Sequence, residues 1–76
     1  MIEVMYIVIM ISPDGDNYKI LNDEHTAREV FDAEKETEFY SRVVMAKVTP
    51  GKDFGFGSYG DFYGGEVLEE TEDPDI

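Results

Sequence analysis

The sequence predicts a small α+β domain: a four-stranded antiparallel sheet in strand order 2-1-3-4, with one helix across one face. Three observations lead there. Ile2 to Ile11 is β-branched or large on both of its alternating sets and carries a single charge, Glu3. A strand with one wet face alternates with polar residues, so this one belongs at the centre of a sheet. The segment after Asn22 carries apolar residues at helical spacing. The resulting order is β-β-α-β-β, and a right-handed crossover after the helix seats the third strand beside the first, antiparallel to it.

The first strand shows Ile2, Val4, Tyr6, Val8 and Met10 on one face and Met5, Ile7, Ile9 and Ile11 on the other. Residues 12 to 17, Ser-Pro-Asp-Gly-Asp-Asn, are turn formers: Pro13 fixes φ, and Gly15 supplies a positive φ. They predict a hairpin loop. Asp14, Asp16 and Asn17 lack the closing Glu and the alternate ligands of a calcium loop. Tyr18 to Leu21 then form a short second strand, antiparallel to the first.

Thr26 and Glu29 fit a capping box for the helix, and Asn22 or Asp23 would cap an earlier start. Ala27, Val30 and Phe31 stand at i, i+3 and i+4 and form its buried stripe. Beyond them the helix is nearly all charge. Asp32 with Glu36, and Glu34 with Glu38, are like-charge pairs at i,i+4, and Lys35 offsets only part of the repulsion. Ser41 to Thr49 form the third strand, with Val43 and Met45 on one side and Val44, Ala46 and Val48 on the other. Pro50-Gly51 ends it. Glu66 to Thr71 form the last strand around Val67 and Leu68. Residues 1–71 make the domain, and 72–76 an acidic tail. The single helix leaves one sheet face open, for the segment after Pro50 or a second copy to cover.

At 76 residues the chain makes one domain with a thin core, burying roughly 60–65% of its unfolded surface. It has no cysteine, hence no disulfide, thiol nucleophile or zinc–thiolate site. The ten-residue apolar run is half of what a membrane span needs, about 20. It also lacks the basic flank of a signal peptide. These features predict a soluble, cytoplasmic protein that starts at Met1.

The net charge is −12, from six basic and eighteen acidic residues. Six of the acids, and no base, fall between Glu66 and the end. Such a surface disfavours nucleic acid and anionic membrane and favours a basic protein partner. Solubility alone would also account for it.

Residues 51 to 65 hold Phe54, Phe56, Tyr59, Phe62 and Tyr63 among glycines. Gly55, Gly57 and Gly60 match G-x-G-x-x-G, but Asp61-Phe62-Tyr63-Gly64-Gly65 will not open the helix that a dinucleotide site requires. Lys52, Phe54, Gly55, Phe56 and Tyr59 match another pattern, and this stretch resembles the octapeptide of the RNA-recognition motif. That resemblance implies exposed aromatics stacking on bases. Asp53 and Gly57 depart from the pattern, the family's element order is β-α-β-β-α-β, and the negative charge repels a phosphate backbone. The alternative is that the aromatics complete the thin core, with glycines letting the segment lie close to the sheet.

No activated group suggests catalysis. His25, the single histidine, has no second histidine or cysteine for a metal site. No cofactor is expected. The expectation is a non-enzymatic acidic module that engages a basic protein, in its sharpest form a nucleic-acid mimic or inhibitor of a nucleic-acid-binding protein. In composition it is similar to the small acidic proteins that phages and mobile elements direct at host machinery, which act in the host cytoplasm. The contact residues would be Glu29, Asp32 and Glu36 on the helix and Glu66, Glu69, Glu70, Glu72 and Asp73 towards the end. Phe54, Phe56, Tyr59, Phe62 and Tyr63 are a second candidate contact. The rival expectation is a structural protein that forms a homodimer through its open sheet face.

Overall fold

The computed structural model describes residues 4–13, 15–37, 40, 42–56 and 62–71. Within these, β1 (Met5–Ser12), β2 (Gly15–Leu21), β3 (Arg42–Val48) and β6 (Gly65–Glu70) form an antiparallel sheet in the order β2-β1-β3-β6. The helix α1 (Glu24–Lys35) lies between β2 and β3 in sequence. Two short strands, β4 (Gly55–Phe56) and β5 (Phe62–Tyr63), pair with each other in a separate ribbon.

The central position of β1 follows from its sequence. Ile7, Val8, Ile9 and Met10 are all buried, so successive side chains on opposite faces both leave water. The sheet therefore has two cores. On the helix face Val8 and Met10 meet Val43 and Met45 of β3 and Ala27 and Phe31 of α1, with Tyr6, Leu21, Val30 and Tyr40 around them. On the other face Ile7, Ile9 and Ile11 meet Val44, Ala46 and Val48, with Met5, Phe54, Phe56 and Phe62 packed against them. The expected side assignments of β1 and β3 hold for the described residues. Ile2 lies outside them.

The aromatic segment covers the second face. Phe54 and Phe62 stand 6.4 Å apart between ring centroids, and Phe56 meets Tyr18 of β2 edge-on at 5.6 Å. Gly64 and Gly65 permit this close return. Gly64 has φ +91°, and a Cβ there would strike the Asp53 carbonyl and Phe54; one at Gly65 would strike the Lys47 carbonyl. The Thr49 amide donates to the Gly64 carbonyl at 2.9 Å, extending the β3–β6 ladder at this point.

Several boundaries differ from expectation. The second strand begins at Gly15, not Tyr18, and pairs with β1 without interruption from Ser12↔Gly15 to Tyr6↔Leu21. The predicted six-residue loop is a tight turn through Pro13, in which the Ser12 hydroxyl donates to the Gly15 carbonyl at 2.8 Å. Gly-Asp-Asn reads as loop in isolation, but a strand already paired in register continues through polar residues. Of the helix starts that the sequence offered, the structure takes the earlier one, capped by Asp23 and not Thr26. The Asp23 carboxylate accepts from the Thr26 amide at 2.8 Å and from its hydroxyl at 2.9 Å. The last strand runs from Gly65 to Glu70, and Thr71 closes it. The Thr71 amide donates to the Val43 carbonyl, and the Val43 amide to the Thr71 hydroxyl, both at 2.9 Å. Glu38 and the tail 72–76 lie outside the described residues.

Candidate acidic interaction surface

Helical geometry sets where the acids go. With Ala27 and Phe31 buried beneath α1, residues about 100° apart per step place Glu29, Asp32 and Glu36 on the opposite, outer side. All three are exposed. From Glu29 to Glu36 the rise is about 10 Å at 1.5 Å per residue. Glu36 is the C-cap, in a right-handed helical conformation.

The acids of β6 divide between the two faces of the sheet. Glu66 opposes Lys47 and Glu69 opposes Met45, so both share the side of α1. Glu70 opposes Val44 and takes the other side. Between Glu69 and Val67 the register shifts, leaving Leu68 as an extra residue. Glu66, Glu69 and the outer face of α1 thus share one side of the domain.

Among the described residues, four of the six cations pair with acids of the fold. Arg28 meets Glu69 at 3.4 Å and Arg42 meets Glu70 at 2.6 Å. Lys35 meets Asp32 at 3.2 Å, and Lys19 meets Glu34 at 3.7 Å. His25 Nε2 lies 2.7 Å from Glu29. Glu36 and Glu66 make no ion pair with a described residue, although Glu66 has Lys47 opposite it across the β3–β6 pair.

Among the described residues, two groups have displaced pKa values. Asp23 is held below the ordinary carboxylate range, chiefly by the Thr26 amide, then by the Thr26 hydroxyl. Tyr40 is raised by partial burial and by the adjacent Glu34 carboxylate, whose charge opposes phenolate. Asp23 is the cap of α1, and Tyr40 borders the core on the helix face. Among the described residues no three metal-ligating side chains converge, and no helix is long and apolar enough to cross a membrane.

Of the aromatic candidates, Phe54, Phe56 and Phe62 are half-buried against the second core. Tyr63 is exposed, and its ring lies over Gly55, its cross-strand neighbour. Tyr59, Glu72 and Asp73 lie outside the described residues. Of the octapeptide-like stretch, Gly55 and Phe56 form β4 in the small ribbon, not a strand of the main sheet, and residues 57–59 lie outside the described residues. Sequence reasoning missed the ion pairs Arg28–Glu69 and Arg42–Glu70, each joining residues 28 or more apart; no local spacing signals them. Comparison with protein-family models, curated proteins and solved structures finds no match.

Proposed function

We propose that this protein is a non-enzymatic binding module whose acidic side engages a basic protein surface, in the manner of a nucleic-acid mimic. The observation that carries this reading is the outer face of α1. Glu29, Asp32 and Glu36 line up there, opposite the buried stripe, in a chain of net charge −12. An excess of acid over its own cations costs self-repulsion and gains nothing for the fold, whereas a cationic partner would be steered by it. Glu66 and Glu69 on β6 extend the same side, and Glu72 and Asp73 follow them in sequence. The second sheet face carries the chain's own phenylalanines, which favours the acidic side over that face as the contact.

The test is a pull-down from nuclease-treated lysate with the intact chain and with a Glu29→Lys/Asp32→Lys/Glu36→Lys variant, eluted by salt steps. The reading expects a basic nucleic-acid-binding protein on the intact chain alone, released at moderate salt and displaced by duplex DNA or RNA. Equal recovery by both chains, resistant to salt, would falsify it. A partner held through the aromatic segment would behave in that second way.

A further inference from the structure

The two edges of the sheet are built differently. β6 carries Glu66, Glu69 and Glu70 and is interrupted by the extra residue Leu68. Charge and a bulge are the devices that keep an edge from pairing with another strand. β2 has neither. Its seven residues pair with β1 in one unshifted register, and it carries one acid, Asp16, and one base, Lys19. No described strand pairs with its outer side. Tyr18 and Ile20, opposite Ile9 and Ile7, are 49% and 45% exposed on the same face. Tyr18 already rests against Phe56 on one side of its ring.

We propose that β2 is the site at which a second copy of this chain docks, strand against strand, to make one continuous eight-stranded sheet. An antiparallel two-fold pairing keeps each face facing the same way only if residues of like face oppose each other. The register centred on Tyr18 does this and pairs all seven residues. Tyr18 then meets the partner's Tyr18, Asn17 meets the partner's Lys19, and Asp16 meets the partner's Ile20.

Charge selects this edge over the other. A net charge of −12 on each copy opposes association, but β2 itself carries one acid and one base, whereas β6 carries three acids and no base. In the paired sheet the two β6 strands stand seven strand spacings apart, about 34 Å. That is several times the Debye length of about 8 Å at physiological salt. Pairing through β6 would instead bring Glu66, Glu69 and Glu70 of both copies together. The acidic sides of both copies stay open, so this assembly is independent of the function proposed above.

The chain has no cysteine, so a Tyr18→Cys variant carries a single reporter. Under oxidation it should form a disulfide dimer about tenfold or more faster than Glu66→Cys, as held neighbours do over chance encounters. Sedimentation equilibrium of the unaltered chain should show mass rising with concentration from 8.7 kDa towards twice that. A Tyr18→Asp/Ile20→Asp variant with an unchanged circular dichroism spectrum should stay at the lower mass. A constant lower mass for the unaltered chain, with equal oxidation rates at both positions, overturns the proposal. So does a monomer that takes up an arginine-rich extended peptide along β2, which would assign the edge to a different strand.

Discussion

Arg28 reaches from the flank of α1 to Glu69 on β6, 3.4 Å between Nη1 and Oε2 and 41 positions away in sequence. The contact ties the helix to the edge strand and also neutralises one of the acids on the candidate surface. Arg42 does the same to Glu70 from the other face. Acids that look equivalent in sequence are therefore unequal in the fold.

This inequality separates two charge reversals. Glu66→Lys adds a cation to the acidic side, opposite Lys47, and should weaken binding to a basic partner strongly, with a shallower salt dependence. Glu69→Lys also frees Arg28, placing two cations together, and should in addition cost stability. Both members of that pair are nearly half exposed, so the pair itself contributes roughly 0.2–1 kcal/mol. Urea titrations of the neutral variants, which add no cation beside Lys47 or Arg28, should show Glu69→Gln less stable than Glu66→Gln. Equal stabilities would remove the ion pair from the account.

The aromatic segment makes a second test. Phe56→Ala and Phe62→Ala each strip cover from the core of Ile7, Ile9 and Val44. Full burial would cost about 3–5 kcal/mol on truncation, and these rings are half-buried, so about 1–3 kcal/mol is expected. Tyr63→Ala removes a ring that lies outside, over Gly55, and should cost less. A recognition role for the phenylalanines without a core role predicts the opposite: unchanged urea midpoints and lost binding.

How much of this was legible in the sequence depends on how local the signal is. Ile2 to Ile11 announced a central strand because apolarity on both alternating sets has few other uses. Ala27, Val30 and Phe31 announced the helix face, and the strand order followed from connection rules. The β4–β5 ribbon was not legible. Two-residue strands carry no alternation, and their pairing depends on Gly55 accepting the Tyr63 ring above it. The start of β2 at Gly15 was hidden for a related reason, since pairing with β1 overrides the turn preference of Gly-Asp-Asn. For the candidate surface, the sequence supplied the helix acids by spacing. Lys35 beside Asp32 was legible at i,i+3, but the acids taken by Lys19, Arg28 and Arg42 are identified only by the folded sheet.

Two glycines should respond differently to alanine. At Gly65 a Cβ would collide with the Lys47 carbonyl, a backbone atom that cannot rotate away. Gly65→Ala should push β6 off β3 and cost roughly 1–3 kcal/mol. At Gly51 a Cβ would meet nothing, but φ is +81°. Gly51→Ala should cost only the backbone preference, roughly 1–2 kcal/mol, with the sheet intact. Amide exchange along β6 distinguishes them: faster in Gly65→Ala, unchanged in Gly51→Ala.

The helix cap gives a pH dependence of definite sign. The folded-state pKa of Asp23 lies below its reference value of 3.8, so its carboxylate stabilises the fold where it is charged. That contribution is complete above the reference value and is lost as pH falls through the folded pKa. Asp23→Ala should therefore lower the melting temperature by a constant amount near neutral pH. The gap to the unaltered chain should narrow below pH 3.8. A gap that widens on acidification would mean that Asp23 is not held charged by the Thr26 amide and hydroxyl.

Salt should stabilise this protein, although it weakens every ion pair named above. Exposed pairs contribute roughly 0.2–1 kcal/mol each and lose part of that to screening. Against them stands the repulsion of eighteen acids with six cations to offset them. Four of those cations are already paired, so the remaining acids repel one another across a domain whose Cα radius of gyration is 12.0 Å. That size is comparable to the Debye length of about 10 Å at 0.1 M salt, and at about 0.01 M the length is roughly 30 Å and the whole domain interacts. Repulsion is thus unscreened at low salt and largely removed by physiological salt, while each close pair, at 4 Å or less, is screened only slightly. The melting temperature should rise with sodium chloride over this range. It should rise less in a Glu29→Gln/Asp32→Gln/Glu36→Gln variant, whose outer helix face has lost its charge. A melting temperature that falls with salt would mean that the ion pairs outweigh the excess acid.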